Sequence, residues 1–333
     1  MIREQPIWSY SSLDAAPTTL LENRVIGIGL CLDRANGQCL WQKSFSGANT
    51  IIGESNGVIV ATELITYTAT FFSGCYGFDL ETGKLLWTSH GNGLWGVLCR
   101  IGDFIPCFVN DMSDRPICLE DGRVIMESGR ILDVRTGKQV ERIPRKKAAT
   151  FYRQLESPLR ELLEKRKLLL DDGTWLTHVL PEIGQQIQDI PTPRSFAWND
   201  FFKHGFDLYR LTESGDRIWS FQPEKIGCHQ IHGYKLDLPY HVYLLFSEEK
   251  TTLYDSETQE FRHNLSRIHF VTISIETGKI IQNFLIEETA LAGGSIQSVD
   301  AYGVLVSSNE THLWDKNRLP NVFRYFEKIN PTA

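Results

Sequence analysis

Three of the nine histidines stand where their types and neighbours could do chemistry. His90 lies in "TSHGNGLWGVL" with Asn92 and Trp95, and His229 and His232 lie in "GCHQIHGY". A histidine near a carboxylate is the natural acid or base around neutral pH. An enzyme built on this chain would therefore use His90 or His229. Asn49 in "SFSGANTIIG" and Gln297 in "LAGGSIQSV" complete the set expected to bind a ligand: Asn49, His90, Asn92, Trp95, His229, His232 and Gln297. Polar residues of this kind also do nothing more than satisfy hydrogen bonds around a wet axis.

Other chemistries fail on spacing. Cys228, His229 and His232 would need further metal ligands from elsewhere, because two histidines three apart on a strand point to opposite faces. No metal is assigned. Asp111, Asp114, Glu120 and Asp121 lack the spacing of a calcium loop and read as a solvated acidic loop. "LAGGSI" and "HGNGLWG" are neither a dinucleotide nor a phosphate loop, and no Gly-x-Ser-x-Gly occurs. No cofactor is expected.

The balance of charge narrows the partners. The chain has a formal net charge of −7, and its densest cationic stretch, "RIPRKKAATFYR", is short. Phosphate contacts need clustered cations, so nucleic acid is not an expected partner. No apolar run of about 18 residues or more is present, so no membrane helix is expected. The start of the sequence lacks a basic stretch followed by an apolar one, which argues for the cytoplasm. Seven cysteines at irregular spacing, an odd number without CxxC, read as buried free thiols.

The elements that must position these residues repeat. "LDRANGQCLW", "FDLETGKLLW", "LDVRTGKQVE", "RLTESGDRIW" and "ISIETGKIIQ" align on Gly37, Gly83, Gly137, Gly215 and Gly278. Asp33, Asp79, Asp133 and Ser274 stand four before the glycine, and Trp41, Trp87 and Trp219 four after it. Alternating apolar residues on both sides mark half-buried strands. The Asp accepts hydrogen bonds from turn amides, and the glycine takes the left-handed conformation that closes a hairpin. The Trp then packs between neighbouring sheets. The glycines lie 46, 54, 78 and 63 residues apart, against the roughly 40–50 of a four-stranded blade.

The motif Asp-x-x-Thr-Gly-Lys-x-x-Trp resembles the repeat of the PQQ-like (quinoprotein dehydrogenase-like) β-propeller superfamily, over roughly residues 25 to 325. The resemblance implies an all-β fold of four-stranded antiparallel blades. Seven blades are expected, with six as the alternative, in a single domain over 1–333. The 78-residue interval holds a short helical insertion, placed at 158–167 by Ser157-Pro158 and the leucines that follow. Insertions are expected at about 142–200 and 247–268. Because the innermost strand of a propeller blade lines the central channel, the segments after each Trp position would bring the binding set to the channel mouth.

For function the resemblance is weak. Quinone-binding members are similar to larger, exported, eight-bladed propellers, many with adjacent cysteines. This chain is shorter and has no Cys-Cys pair, which argues against PQQ. The expected role is a non-catalytic propeller that binds a protein partner, as a scaffold or immunity-type protein. The alternative is a small-molecule enzyme with a pocket at the channel mouth.

Overall fold

The glycine hairpins form as their residues dictate. In the computed structural model Gly37, Gly83, Gly137, Gly215 and Gly278 all have positive φ, between 64° and 89°. Asp79 Oδ1 accepts from the Thr82 amide at 2.8 Å and from its hydroxyl at 2.5 Å. Asp133 holds Thr136 in the same way, and Ser274 Oγ accepts from the Thr277 amide at 3.1 Å. The Gly83 amide closes the turn onto the Asp79 carbonyl at 2.8 Å.

The structure describes residues 1–12, 16–43, 45, 48, 50–66, 70–89, 114, 116–154, 162, 165–181, 187, 207–249, 252–255, 260–263, 266–290, 294–308 and 321–329. They form two compact units, 15–156 and 1–14 with 157–333. Strand β1 (Trp8–Ser12) belongs to the second unit.

The 15–156 unit holds three four-stranded antiparallel sheets in simple meander order. The first is β2 (Pro17–Leu20), β3 (Arg24–Gly27), β4 (Leu30–Asp33) and β5 (Cys39–Gln42). The second is β6 (Thr50–Ser55), β7 (Val58–Thr66), β8 (Thr70–Asp79) and β9 (Leu85–Ser89). The third is β10 (Pro116–Glu120), β11 (Arg123–Met126), β12 (Arg130–Asp133) and β13 (Gln139–Arg142), followed by helix α1 (Arg145–Gln154).

The other unit holds three more. They start with β14 (Lys167–Leu169), β15 (Trp175–Thr177), β16 (Leu208–Leu211) and β17 (Arg217–Phe221). Next come β18 (Gln230–Asp237) and β19 (His241–Ser247), then a separate hairpin of β20 (Thr252–Asp255) and β21 (Glu260–His263). The fifth sheet is completed by β22 (Ser266–Ser274) and β23 (Ile280–Ala290). The sixth takes β24 (Gly294–Val299), β25 (Gly303–Ser308) and β26 (Asn321–Glu327), with β1 from the start of the chain as its fourth strand. The architecture is that of a β-propeller of six blades, the alternative count rather than seven. The long interval before Gly215 is taken up by α1 and by the connection from β15 to β16, and only one sheet forms within it among the described residues.

A helix forms ahead of the leucine pattern, at a place where the sequence suggested none. Pro144 starts it, accepting from the Lys147 and Ala148 amides, and the paired alanines 148 and 149 favour it. Most of 158–167 lies outside the described residues, although Leu162 and Lys165 are helical and Leu162 is fully buried. Of the cysteines, Cys31, Cys75 and Cys228 are buried, but Cys39 is exposed because it shares the outward face of β5.

Three sheets lean on a neighbour through the repeat itself. Trp41 Nε1 donates to the Leu80 carbonyl at 2.8 Å, and Trp87 Nε1 to Val134 at 2.7 Å. In the second unit Trp219 Nε1 donates to Ile275 at 3.0 Å. Each ring lies over the glycine of the next hairpin. A Cβ on Gly83 would come within 2.7 Å of the Trp41 ring, and one on Gly137 or Gly278 within 2.5 Å of Trp87 or Trp219. The glycine is thus required twice, by its φ and by the ring above it. Where the fifth copy has Gln282 instead of Trp, the amide clamps the start of the chain. Its Nε2 donates to the Ile2 carbonyl and its Oε1 accepts from the Ile2 amide, both at 2.6 Å.

The latch separates ring from hydrogen bond in a simple test. Trp87→Ala removes a buried ring and is expected to cost about 3–5 kcal/mol, whereas Trp87→Phe keeps most of the packing and costs about 1–2 kcal/mol. Urea unfolding followed by circular dichroism measures both; equal and small losses would show that the ring is not a support.

Candidate functional site

The described members of the expected binding set all lie in the second unit. Asn49, His90, Asn92 and Trp95 lie outside the described residues. His232 and Gln297 stand at matching places on β18 and β24, which run beside each other. On each strand the pairing register slips by one residue there, between Ile231 and Gly233 and between Ile296 and Ser298. Such a bulge leaves one residue unpaired and re-aims its side chain. The same slip occurs at Thr18, Ile52 and Ile117 in the first strands of the other unit's sheets. The two bulges are pressed together: a Cβ on Gly233 would lie 2.7 Å from the Ile296 nitrogen.

The hydrogen bonds at His232 decide its chemistry. Its Nε2 is 2.9 Å from Ser247 Oγ, and the Ser247 hydroxyl donates to the Glu249 carbonyl at 2.5 Å. The single hydroxyl hydrogen is therefore committed, so the ring must present Nε2–H to the serine oxygen. This is the reverse of a serine–histidine nucleophile, in which the imidazole accepts the serine proton. Burial pushes the His232 pKa down to about 4, so the ring is neutral. Gln297 Nε2 donates to Ser295 Oγ and, at 3.0 Å, to Ser307 Oγ. His229 is exposed and has no carboxylate ion pair among the described residues. The structure thus brings His232 and Gln297 to adjacent strands as satisfied polar groups, while His229 lies on the surface.

A charged cluster that the sequence did not signal sits at the other end of β18. Asp237 Oδ2 accepts from Lys328 Nζ at 2.7 Å and from the Tyr243 hydroxyl at 2.9 Å, with His241 Nδ1 at 3.7 Å. Burial alone would raise the Asp237 pKa, but the nearby His241 and the hydrogen bonds from Lys328 and Tyr243 outweigh it and hold it down at about 2. Burial raises the Tyr243 hydroxyl, and the Asp237 charge adds to it. Nothing local to Asp237 announces Lys328, which lies 91 residues away. A second pair, His269 Nε2 with Glu248 Oε1 at 2.9 Å, braces the strands from which the β20–β21 hairpin departs, the ring stacked on Phe246.

The outward surface carries the feature least explained by folding. Leu40, Leu86, Val140, Ile218 and Ile281 each stand three residues after the hairpin glycine, in all five clear copies. Every one is between 38% and 56% exposed. The Trp or its replacement one residue on points the opposite way. Leu85 and Ile280 add to the same strands. Isolated exposed aliphatic residues are ordinary, but here the repeat keeps one at a position the fold leaves outside.

No protein-family model matches the chain, and a search of curated proteins finds no match. Among solved structures, BamB from Moraxella catarrhalis is 12% identical, over 91% of this chain and 79% of that one, with a TM-score of 0.31. Quinohemoprotein alcohol dehydrogenase from Comamonas testosteroni is 10% identical over 97% and 76%, with a TM-score of 0.36. A europium-containing methanol dehydrogenase is 8% identical over 97% and 93%, also at 0.36. These neighbours are β-propellers of the PQQ-like repeat superfamily, which the glycine hairpins of this chain resemble, and the likeness is one of fold alone.

Two half-buried neutral histidines set a pH dependence. His232 and His178 are both pushed down to about 4 by burial. Between that value and the ordinary 6.5 the unfolded chain binds more protons than the folded one. Stability is therefore full above about pH 6.5 and falls on acidification toward pH 4, by up to about 1.4 kcal/mol per pH unit for each ring. Urea midpoints at pH 7, 5.5 and 4.5 measure the fall, and His232→Gln should make it shallower; an unchanged slope would show that His232 does not contribute.

Proposed function

We propose that this protein is a non-catalytic propeller that binds a protein partner. The observation that carries this reading is the exposed aliphatic residue kept three positions after each hairpin glycine. Apolar surface repeated along outer strands lowers its free energy when another protein covers it, by about 25 cal/mol per Å² removed from water. The polarity at His232, which donates to Ser247 rather than accepting from it, does not favour a serine–histidine nucleophile there. The irregular cysteine set supports a reducing, cytoplasmic setting as part of the same proposal.

A photo-crosslinking residue placed at Leu86 or Val140 in the host cell is expected to capture one discrete partner. Leu86→Ser with Val140→Ser should abolish co-purification of that partner while shifting stability by less than about 0.5 kcal/mol, as exposed substitutions do. Absence of any cross-link from these positions, with the protein monodisperse and alone, would overturn the reading.

A further inference from the structure

The third hairpin lacks the Trp latch, and a cleft lies on its sheet. The third hairpin has Glu141 where Trp41, Trp87 and Trp219 stand in other copies. One face of this sheet, with Val124, Met126 and Leu132, packs on Val58, Val60 and Trp87 as the repeat requires. The other face, with Ile125 and Ile131, is covered instead by Ala148 and Phe151 of α1. The helix does not fill the space. It leaves a cleft of about 390 Å³ floored by Ile125, Ile131, Ile143 and Phe151. That volume is in the range of ligand sites.

The rim says what kind of ligand fits. Arg123 Nη1 lies 3.2 Å from Glu141 Oε2, so these two charges neutralise each other. Glu120 and Asp121, at the β10–β11 turn, line the cleft without an ion-pair partner among the described residues, and so does Lys147. The remaining charge is net negative. An apolar floor with spare carboxylates at its rim complements an aliphatic group next to a cation. The border of the cleft at Glu141 belongs to β13, the outer strand of its sheet, whose four residues are all exposed. An extended chain added to such an edge places alternate side chains on one face.

We propose that this cleft binds an extended segment of a partner protein in which aliphatic and basic residues adjoin, the aliphatic side chain on Ile125, Ile131 and Phe151 and the cation at Glu120 and Asp121. Lys147 offers a donor to a carbonyl of the bound segment. The proposal rests on the protein-binding reading and names a second surface for it.

The test uses the full chain with isotope-labelled isoleucine methyl groups and the peptide acetyl-Gly-Leu-Arg-Leu-Arg-Gly-amide. Binding should shift the Ile125, Ile131 and Ile143 methyl resonances and leave isoleucines of the other unit unmoved. A peptide with Glu in place of Arg should not bind. Glu120→Gln with Asp121→Asn should weaken binding at least about tenfold; asparagine suits the left-handed backbone at 121, whose φ is 48°, so the fold is retained. No shift at millimolar peptide, equal binding of the acidic peptide, or binding unchanged by the double variant would overturn the proposal. If cross-links at Leu86 or Val140 still capture a partner while the cleft stays silent, the cleft proposal alone fails; if those cross-links fail too, the protein-binding reading falls with it.

Discussion

The fold depends on one contact, an indole ring laid over a glycine with its N–H on a carbonyl of the next sheet. A four-stranded sheet has two faces and cannot bury both by itself. The contact solves this pairwise. It fixes the register of one sheet on the next, fills the outer end of the gap, and satisfies a carbonyl that would otherwise be stranded in the seam. It also explains why the glycine tolerates no substitute. Adding a single methyl group there meets both a disfavoured φ and a ring closer than 3 Å.

Departures from this contact mark where the chain does something else. At Gln282 the ring is exchanged for an amide, and the amide holds the backbone at Ile2. At Glu141 it is exchanged for a carboxylate paired to Arg123 on its own sheet, and a helix takes over the exposed face. The repeat is therefore informative twice, by its matches about packing and by its failures about specialised surface.

Much of the architecture was legible in the sequence because period-two strands and a left-handed glycine are local properties. The five hairpins, the Trp positions and the four-stranded sheets follow from residues within a few positions of each other. The blade count did not, because the 78-residue interval could hold either a degenerate sheet or long connections, and its composition does not separate them. Helix α1 went unread for a related reason: the leucines at 159, 162 and 163 give a clearer stripe than the cationic "RKKAATFYRQ", which among its described side chains buries Ala148 and half-buries Phe151. For the site, sequence reasoning found the segments but not the chemistry. His232 and Gln297 do share a neighbourhood, yet the direction of a hydroxyl hydrogen at Ser247 decides that His232 donates rather than accepts. The Asp237 cluster depends on Lys328 arriving from the far end of the chain, which no local pattern records. The cleft was signalled only by a missing Trp in "LDVRTGKQVE".

The pairing of β1 with β26 has a consequence for how the protein is made. Trp8–Ser12 leave the ribosome long before their partner, Asn321–Glu327. Until then the first strand emerges with no hydrogen-bonding mate, while the hairpins of the intervening sheets each need only neighbouring residues. Translation thus imposes an order that thermodynamics alone does not: the intervening sheets have all their strands before β26 is made, and the sixth does not. A product stalled before β26 would carry β1 without its mate, which gives cellular quality control a direct mark of incompleteness.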